Sequence, residues 1–225
     1  MLDPEFTWLT PAGVLRSRAS IVASIPGAVV MLSGVPTADA RPFGGNVMVV
    51  QRHSVGTHRM HVWARREAGW RLLHVSEVIE RAHVPYGGTM IGAAACINPC
   101  QTVPFLSSTP AEKGVMDAWQ AQQSGPEPWA RHVAEENVAR TTNGTHTKAA
   151  RLAVQRQQSR DGVVVTPSPL AWARIWEFGE AAFMLTLQSR AGERPFWASR
   201  VFERREGVWM MAESYQVAIE AMPPF

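Results

Sequence analysis

Hydrophobic and polar positions alternate along many short segments of this chain, and these segments are rich in β-branched and aromatic residues. Alternation with a period of two is typical of strands that bury one face. In the first part of the chain the pattern predicts one helix, at residues 16–24. Four strands are then predicted, at residues 28–32, 45–51, 58–65 and 70–79.

The second part of the chain has the same order of predicted elements. Helices are predicted at residues 111–122, 128–137 and 148–158, followed by strands at 170–178, 181–189, 196–204 and 209–219. The helix-starting sequence Pro126-Glu127-Pro128 supports the second of these helices. The first two helices have no counterpart in the first part, because only one residue precedes Leu2.

Three pairs of short sequences match each other in the same order, which predicts an internal duplication. Arg65-Arg66-Glu67 followed by Trp70 matches Arg204-Arg205-Glu206 followed by Trp209, at an offset of 139 residues. Phe43-Gly44 matches Phe178-Gly179 at an offset of 135, and residues 10–13 match 141–144 at an offset of 131. The drift in offset indicates small insertions in loops.

An uncharged stretch separates the two repeats. Residues 82–110 contain no Asp, Glu, Lys or Arg, and Gly and Pro interrupt them repeatedly. Because a linker in water is ordinarily polar, this connector is expected to pack on the first repeat. The apolar residues that would make this contact include Met90, Ile91, Ile97, Val103, Phe105 and Leu106. The expected domains are therefore residues 1–81, the connector 82–110 and residues 111–225.

The order of helices and strands, together with the closing hairpin, resembles the nuclear transport factor 2-like superfamily, including its SnoaL-like and kinase association-domain-like members. The clearest match is Val62-Trp63-Ala64-Arg65-Arg66-Glu67-Ala68-Gly69-Trp70 followed by Arg71-Leu72-Leu73-His74. The second copy keeps the turn and Trp209 but has Glu213 where His74 stands. The resemblance covers both repeats and leaves out the connector.

The resemblance implies an α+β fold with two cone-like units, each a curved antiparallel sheet packed on helices. The first unit would lack its N-terminal helices. The mouth of such a cone holds a small apolar ligand, and the superfamily includes isomerases, dehydratases and proteins without chemistry. Its members usually form dimers through their sheets, so one chain here is expected to imitate a dimer as an intramolecular pseudo-dimer. Further homo-oligomerisation is left open.

Composition narrows the function classes. The chain has 225 residues, 46% hydrophobic and 18% charged, with a net charge of +3, which is enough apolar content for a buried core. Basic residues do not cluster, so nucleic-acid binding is not expected. No signal peptide or spanning segment is visible, so a cytoplasmic protein without a membrane partner is expected. Cys96 and Cys100 lack further ligands, and neither a metal nor another cofactor is expected.

Candidate catalytic residues lie on the last strand of each repeat. Strict alternation places Trp209, Met211, Glu213 and Tyr215 on one face of the final strand. A carboxyl beside Trp and Met would be desolvated, which raises its pKa and suits a general acid or base. Tyr215 would donate a hydrogen bond to a developing oxyanion.

His74 is the equivalent of Glu213 and would shuttle a proton near neutral pH. Each of these assignments has a structural alternative: Glu213 paired with Arg200, and His74 as a hydrogen-bonded core residue. The residues expected to line the ligand site are Trp172, Trp176, Trp197, Arg200, His61 and Ser76. Trp172, Arg174 and Trp176 alternate on one face, which indicates a cation–π ladder or a cavity wall.

Three hypotheses for function remain open at this point. The chain is a lyase or isomerase acting on a small apolar or aromatic compound, with Glu213 as the base. Alternatively it binds such a compound without turning it over, or both repeats are non-catalytic association modules. A wet cavity near Glu213 would favour the first two hypotheses, and a closed, dry site would favour the third.

Overall fold

A computed structural model of the chain describes residues 1–24, 38–81, 105–163, 169–188 and 195–219. Within the described part of residues 1–81, which form the first unit, the elements are β1 (Leu2–Leu9), β2 (Leu15–Ser17), α1 (Arg18–Ser24), β3 (Ala38–Phe43), β4 (Val47–Ser54), β5 (Thr57–Arg66) and β6 (Gly69–Ile79).

Within the described part of residues 105–219, which form the second unit, the elements are α2 (Pro110–Ala121), α3 (Pro126–Arg131), β7 (Val133–Thr141), β8 (Gly144–Thr147), α4 (Lys148–Arg160), β9 (Leu170–Phe178), β10 (Ala181–Gln188), β11 (Phe196–Arg205) and β12 (Val208–Ala218). Hydroxyl caps begin two of these helices. Thr109 Oγ1 accepts from the Glu112 backbone N–H at 3.1 Å, and Thr147 Oγ1 accepts from that of Ala150 at 3.3 Å.

Each unit contains one six-stranded sheet with the same strand order. The orders are β2-β1-β6-β5-β4-β3 and β8-β7-β12-β11-β10-β9. The predicted α+β class with two sheet-and-helix units is confirmed. The sheets are mixed rather than wholly antiparallel, because the first strand of each unit lies parallel to its last strand, β1 on β6 and β7 on β12.

Both sheets carry a β-bulge at the same place in the last strand. In the first unit Val62 pairs with His74, but Trp63 pairs with Leu72, so Leu73 is the extra residue. The second unit repeats these pairs 139 residues later, as Val201 with Glu213, Phe202 with Met211, and Ala212 as the extra residue. We infer from this shared irregularity that the two units are copies of one ancestral sequence.

The ion pairs of the two units match as well. Arg66 at the end of β5 bonds Glu5 of β1 at 3.4 Å, and Arg205 at the end of β11 bonds Glu136 of β7. Arg205 follows Arg66 by the offset of the hairpins, and Glu136 follows Glu5 by the offset of 131 predicted for the preceding turn. The register thus reproduces two of the three offsets read from the sequence.

The helix predicted at residues 128–137 is wrong in its second half. Helix α3 ends at Arg131, and β7 begins at Val133, where it pairs with β12. Sheet pairing here overrides a sequence compatible with a helix. The strands β1, β3 and β8 were not predicted, because their short or charged sequences lack clear alternation. The predicted strand at 28–32 lies outside the described residues, as do residues 82–104 of the connector, including Met90, Ile91, Ile97, Val103, Cys96 and Cys100.

The two faces of the second sheet bury different partners. One face packs on α2 and α3 in a cluster that includes Trp119, Trp129, Met184, Phe202 and Trp209. Helix α2 lies very close to this face, since a Cβ added to Gly114 would come within 2.5 Å of Trp209 Cδ1.

The other face of the second sheet packs on the first unit. A single cluster of buried side chains contains residues of both units, among them Val49, Val62 and Leu73 of the first and Phe183 and Val201 of the second. This inter-unit face is where the candidate site lies.

Candidate functional site

The bulge at Ala212 determines which way Glu213 points. Trp209 and Met211 belong to the cluster on the helix side, whereas Ala212 and Tyr215 belong to the cluster between the units. Glu213 pairs with Val201, which also faces the first unit. The prediction that Trp209 and Met211 share a face with Glu213 and Tyr215 is therefore wrong, because one extra residue reverses the alternation.

Glu213 is buried at the contact between the units. Its side chain is 1% exposed, and Oε1 lies 3.5 Å from Nη1 of Arg41, an arginine of β3 that is 37% exposed. Within the described residues, Glu213 Oε2 and the nearby Gln51 Nε2 have no hydrogen-bond partner. Burial raises the pKa of Glu213 to about 7, and the charge of Arg41 and the amide of Gln51 oppose this rise.

Tyr215 lies two residues further along the same strand and is fully buried. Its hydroxyl oxygen accepts a hydrogen bond from Nε of Arg140 at 3.2 Å. Burial raises the pKa of Tyr215 above its ordinary value, so the phenol stays neutral. Because an arginine can only donate, the hydroxyl proton of Tyr215 is left to donate elsewhere.

His74 is enclosed on the same face. Its Nδ1 lies 2.8 Å from Thr7 Oγ1 and its Nε2 lies 2.9 Å from Ser199 Oγ, which in turn lies 3.4 Å from Ser76 Oγ. Burial lowers the pKa of His74 to about 3, so the ring is neutral. With both ring nitrogens engaged, His74 joins the units, as its structural alternative predicted, and no free nitrogen is left for a proton shuttle.

The three tryptophans expected at the ligand site also lie between the units. Trp172 meets Trp197 edge-on at 5.6 Å, and Trp176 stacks on Phe183 at 5.4 Å. The guanidinium of Arg174 lies 4.6 Å from the centre of the Trp176 ring, so the cation–π contact indicated by the alternation is present.

Two of the expected site residues point elsewhere. Arg200 lies on the opposite face of the second sheet, where it donates to Thr186 Oγ1 at 2.8 Å and Gln188 Oε1 at 2.6 Å. It therefore cannot be the ionic partner of Glu213, and Arg41 holds that place. His61 lies on the outer face of the first sheet, and burial lowers its pKa to about 4.

The sequence analysis missed the cross-unit partners of Glu213 and Tyr215. Arg41, Gln51 and Arg140 surround the two side chains, and His53 accepts from Arg140 Nη2 at 3.0 Å. Arg41 and Glu213 are 172 residues apart, so no spacing rule links them. We call Glu213, Tyr215, Arg41, Gln51 and Arg140 the inter-unit polar cluster.

Two searches within the described residues concern metals and membranes. No group of three or more His, Cys, Asp and Glu side chains in these ranges has the arrangement of a metal site. None of the described helices has the length and apolar content needed to cross a bilayer.

Comparison with known proteins finds similar folds but no sequence relative. No family model and no curated protein matches the sequence. An NTF2-like protein of unknown function from Silicibacter pomeroyi aligns over 49% of this chain and 98% of its own, at 12% identity and a TM-score of 0.40. A protein with a cystatin-like fold from Nostoc punctiforme aligns over 52% of this chain and 98% of its own, at 10% identity and a TM-score of 0.42.

A candidate ketosteroid isomerase from Parabacteroides distasonis aligns over 55% of this chain and 98% of its own, at 10% identity and a TM-score of 0.38. Each of these proteins is therefore about as long as one unit of this chain. Likeness at this level concerns the fold and carries no information about activity.

Proposed function

We propose that the inter-unit polar cluster is an acid–base site for a small carbonyl compound, in which Glu213 moves a proton. The observation that carries this proposal is the state of Glu213. A carboxyl oxygen with no described partner, on a side chain only 1% exposed, is costly to maintain unless it has a use.

The chemistry follows from the groups around Glu213. With a pKa of about 7, the carboxyl is partly ionised at neutral pH and can both accept and return a proton. The Glu213 carboxylate takes a proton from a carbon next to the carbonyl, and the electron pair moves onto the carbonyl oxygen. Tyr215 donates its hydroxyl proton to that oxygen as a hydrogen bond, and the nearby cation of Arg140 stabilises the charge. Return of the proton to another carbon gives the isomer.

Entry to the cluster would involve Arg41. Its side chain is 37% exposed, bonds the exposed Asp39 at 3.1 Å, and contacts Glu213 at a long 3.5 Å. A rotation of this one side chain would uncover the Glu213 carboxyl without disturbing the sheet. The apolar neighbours Val49, Val62 and Val201 favour a small apolar or aromatic compound.

Hydrogen exchange at carbon tests this proposal. The protein is incubated in D₂O with a panel of cyclic and aromatic ketones, and deuterium incorporation is followed by NMR. We expect the wild type to accelerate exchange, Glu213→Gln to lose about 10²-fold or more of that rate, and Tyr215→Phe to lose less. The control is His61→Gln, on the outer face. Equal rates for the wild type and Glu213→Gln across the panel would refute the acid–base role.

The non-catalytic association module is the second candidate, and the closure of the inter-unit face favours it. Thr7, His74, Ser199 and Ser76 form one hydrogen-bonded set across the units, and Glu213 is as closed as they are. On this account the two units stand in for two subunits, and Glu213 is a relic of the packing. Absence of exchange, with no chemical-shift change at Glu213 on adding the ketones, supports this second function.

A further inference from the structure

A chain of hydrogen bonds extends from the inter-unit polar cluster to the surface. His53 Nε2 lies 3.0 Å from Arg140 Nη2, and His53 Nδ1 lies 3.1 Å from His58 Nδ1. His58 Nε2 lies 2.7 Å from Oε1 of Glu80, whose side chain is 32% exposed. The chain crosses between the units, because Arg140 belongs to the second unit and the other three residues to the first.

The two ends of this chain fix the direction of every bond in it. Arginine only donates, so His53 Nε2 must accept, and a neutral His53 ring then carries its proton on Nδ1. That proton is donated to His58 Nδ1, which leaves the His58 proton on Nε2, facing the Glu80 carboxylate. Burial and the charge of Arg140 lower the pKa of His53 to about 4, in agreement with a neutral ring.

The direction of these bonds reaches Tyr215. Arg140 donates from Nη2 to His53 and from Nε to the Tyr215 hydroxyl, so both sides of its guanidinium are held. A guanidinium held in this way keeps the Tyr215 oxygen as an acceptor from Arg140 and turns the Tyr215 proton away from it. The proton is then available to an oxygen atom bound beside Glu213.

We propose that Glu80, His58 and His53 form a positioning relay, with every bond directed from Arg140 toward Glu80, that holds Arg140 and orients the Tyr215 hydroxyl for a ligand oxygen. This inference rests on the proposed acid–base function, since it gives the Tyr215 proton its use. It extends the site to three residues of the first unit that touch neither the ligand nor the reacting atoms.

Other charged and titratable groups face the relay. Asp39 acts on His53, while Thr145 donates to Glu80 Oε1 at 2.9 Å and His146 lies within the field of Glu80. Bonds from His58 and Thr145 lower the pKa of Glu80, so the outer end of the relay stays ionised near neutral pH. Thr145 therefore offers a control, because its hydroxyl supports Glu80 without being part of the relay.

The tautomers of the two histidines provide the direct test. Long-range ¹H–¹⁵N correlation spectra of the ligand-free protein at pH 7 distinguish the protonated ring nitrogen of each histidine. We expect His53 to carry its proton on Nδ1 and His58 on Nε2. A His53 ring protonated on Nε2, or on both nitrogens, would overturn the relay.

A second readout follows the effect of the relay on Glu213. The charge of Arg140 lowers the pKa of Glu213, so a relay broken by His58→Phe should release Arg140 and raise that pKa by roughly half a unit. Thr145→Val should leave it unchanged. If His58→Phe does not fold, Glu80→Ala at the exposed end serves, with a shift in the same direction. A folded relay variant with an unchanged Glu213 pKa would contradict the inference, since a merely structural role predicts that result.

The two proposals fail separately. Carbon–hydrogen exchange without the assigned tautomers refutes the relay and leaves the acid–base site. The assigned tautomers and the Glu213 shift without any exchange refute the acid–base site, while the relay remains as a device that orients Arg140 and Tyr215.

Discussion

His74 and Glu213 occupy the same position in the two units, each directly after the bulge residue of the last strand and each opposite a valine. The backbone treats them identically, but their surroundings differ. His74 is neutral and bonded at both nitrogens, whereas Glu213 has one oxygen without a described partner. Of the two equivalent positions, the one in the second unit is the one poised to gain or lose a proton near neutral pH.

Glu213 should make the protein less stable as the pH rises. Its folded pKa of about 7 lies above the ordinary 4.5, so stability from this group is fully present below pH 4.5 and is lost as the pH rises through 7. The shift corresponds to roughly 3 kcal/mol at most. Glu213→Gln should therefore unfold at higher denaturant concentration than the wild type at pH 8, and at a similar concentration at pH 4.5. A variant less stable than the wild type at pH 8 would show that the ionised carboxyl is stabilising.

His74 should act in the opposite direction. Its folded pKa of about 3 lies below the ordinary 6.5, so its contribution is present above pH 6.5 and is lost as the pH falls toward 3. His74→Gln should cost about 1–3 kcal/mol at pH 7, and this difference should narrow toward pH 4. Ser199→Ala removes the same hydrogen bond without removing a titratable group, so its cost should change little with pH. Parallel pH profiles for the wild type and His74→Gln would contradict a buried neutral ring.

Arg41 and Asp39 should move the pKa of Glu213 in opposite directions. The charge of Arg41 lowers this pKa and the charge of Asp39 raises it. Arg41→Gln should therefore raise the Glu213 pKa above 7, and Asp39→Asn should lower it by a smaller amount, because Asp39 acts from a more exposed position. NMR titration of the two variants measures both shifts. Shifts of the same sign in both variants would indicate a change of structure rather than a change of charge.

Gly44 should be essential for the contact between the units, and Gly45 should not. Both have positive φ, at +53° and +73°, so alanine is strained at either position. A Cβ on Gly44 would lie 2.8 Å from the backbone nitrogen of Ala181, whereas a Cβ on Gly45 meets nothing within 4 Å. Gly45→Ala should cost about 1 kcal/mol and Gly44→Ala about 1–3 kcal/mol more, measured by chemical denaturation. Equal costs would show that the strands give way at Gly44.

Most strands and helices could be predicted from the sequence, because their signals are local. Alternation gave the strand Leu170–Phe178 to the residue, and the hairpin of Trp209 matched its counterpart in the first unit. The bulges at Leu73 and Ala212 could not be predicted, since nothing in the local pattern marks the extra residue. A single bulge was enough to move Glu213 from the helix side to the inter-unit face.

The site was predictable only in its second-unit residues. Glu213 and Tyr215 were found from their strand, but the groups that set their chemistry come from distant segments. Arg41 lies on an exposed edge strand, and Arg140 lies in a segment predicted in part as a helix. The raised pKa of Glu213 was expected from Trp209 and Met211, yet the burial that causes it comes from the packing of two units.

Titration of the Glu213 carboxyl by ¹³C NMR tests the central claim most directly. The signal is assigned by its loss in Glu213→Gln and followed from pH 3 to pH 9 in the otherwise unchanged protein. The account predicts a midpoint of about 7. A midpoint at or below the ordinary 4.5 would mean that Glu213 is a plain ionic partner of Arg41, and the acid–base site would be wrong.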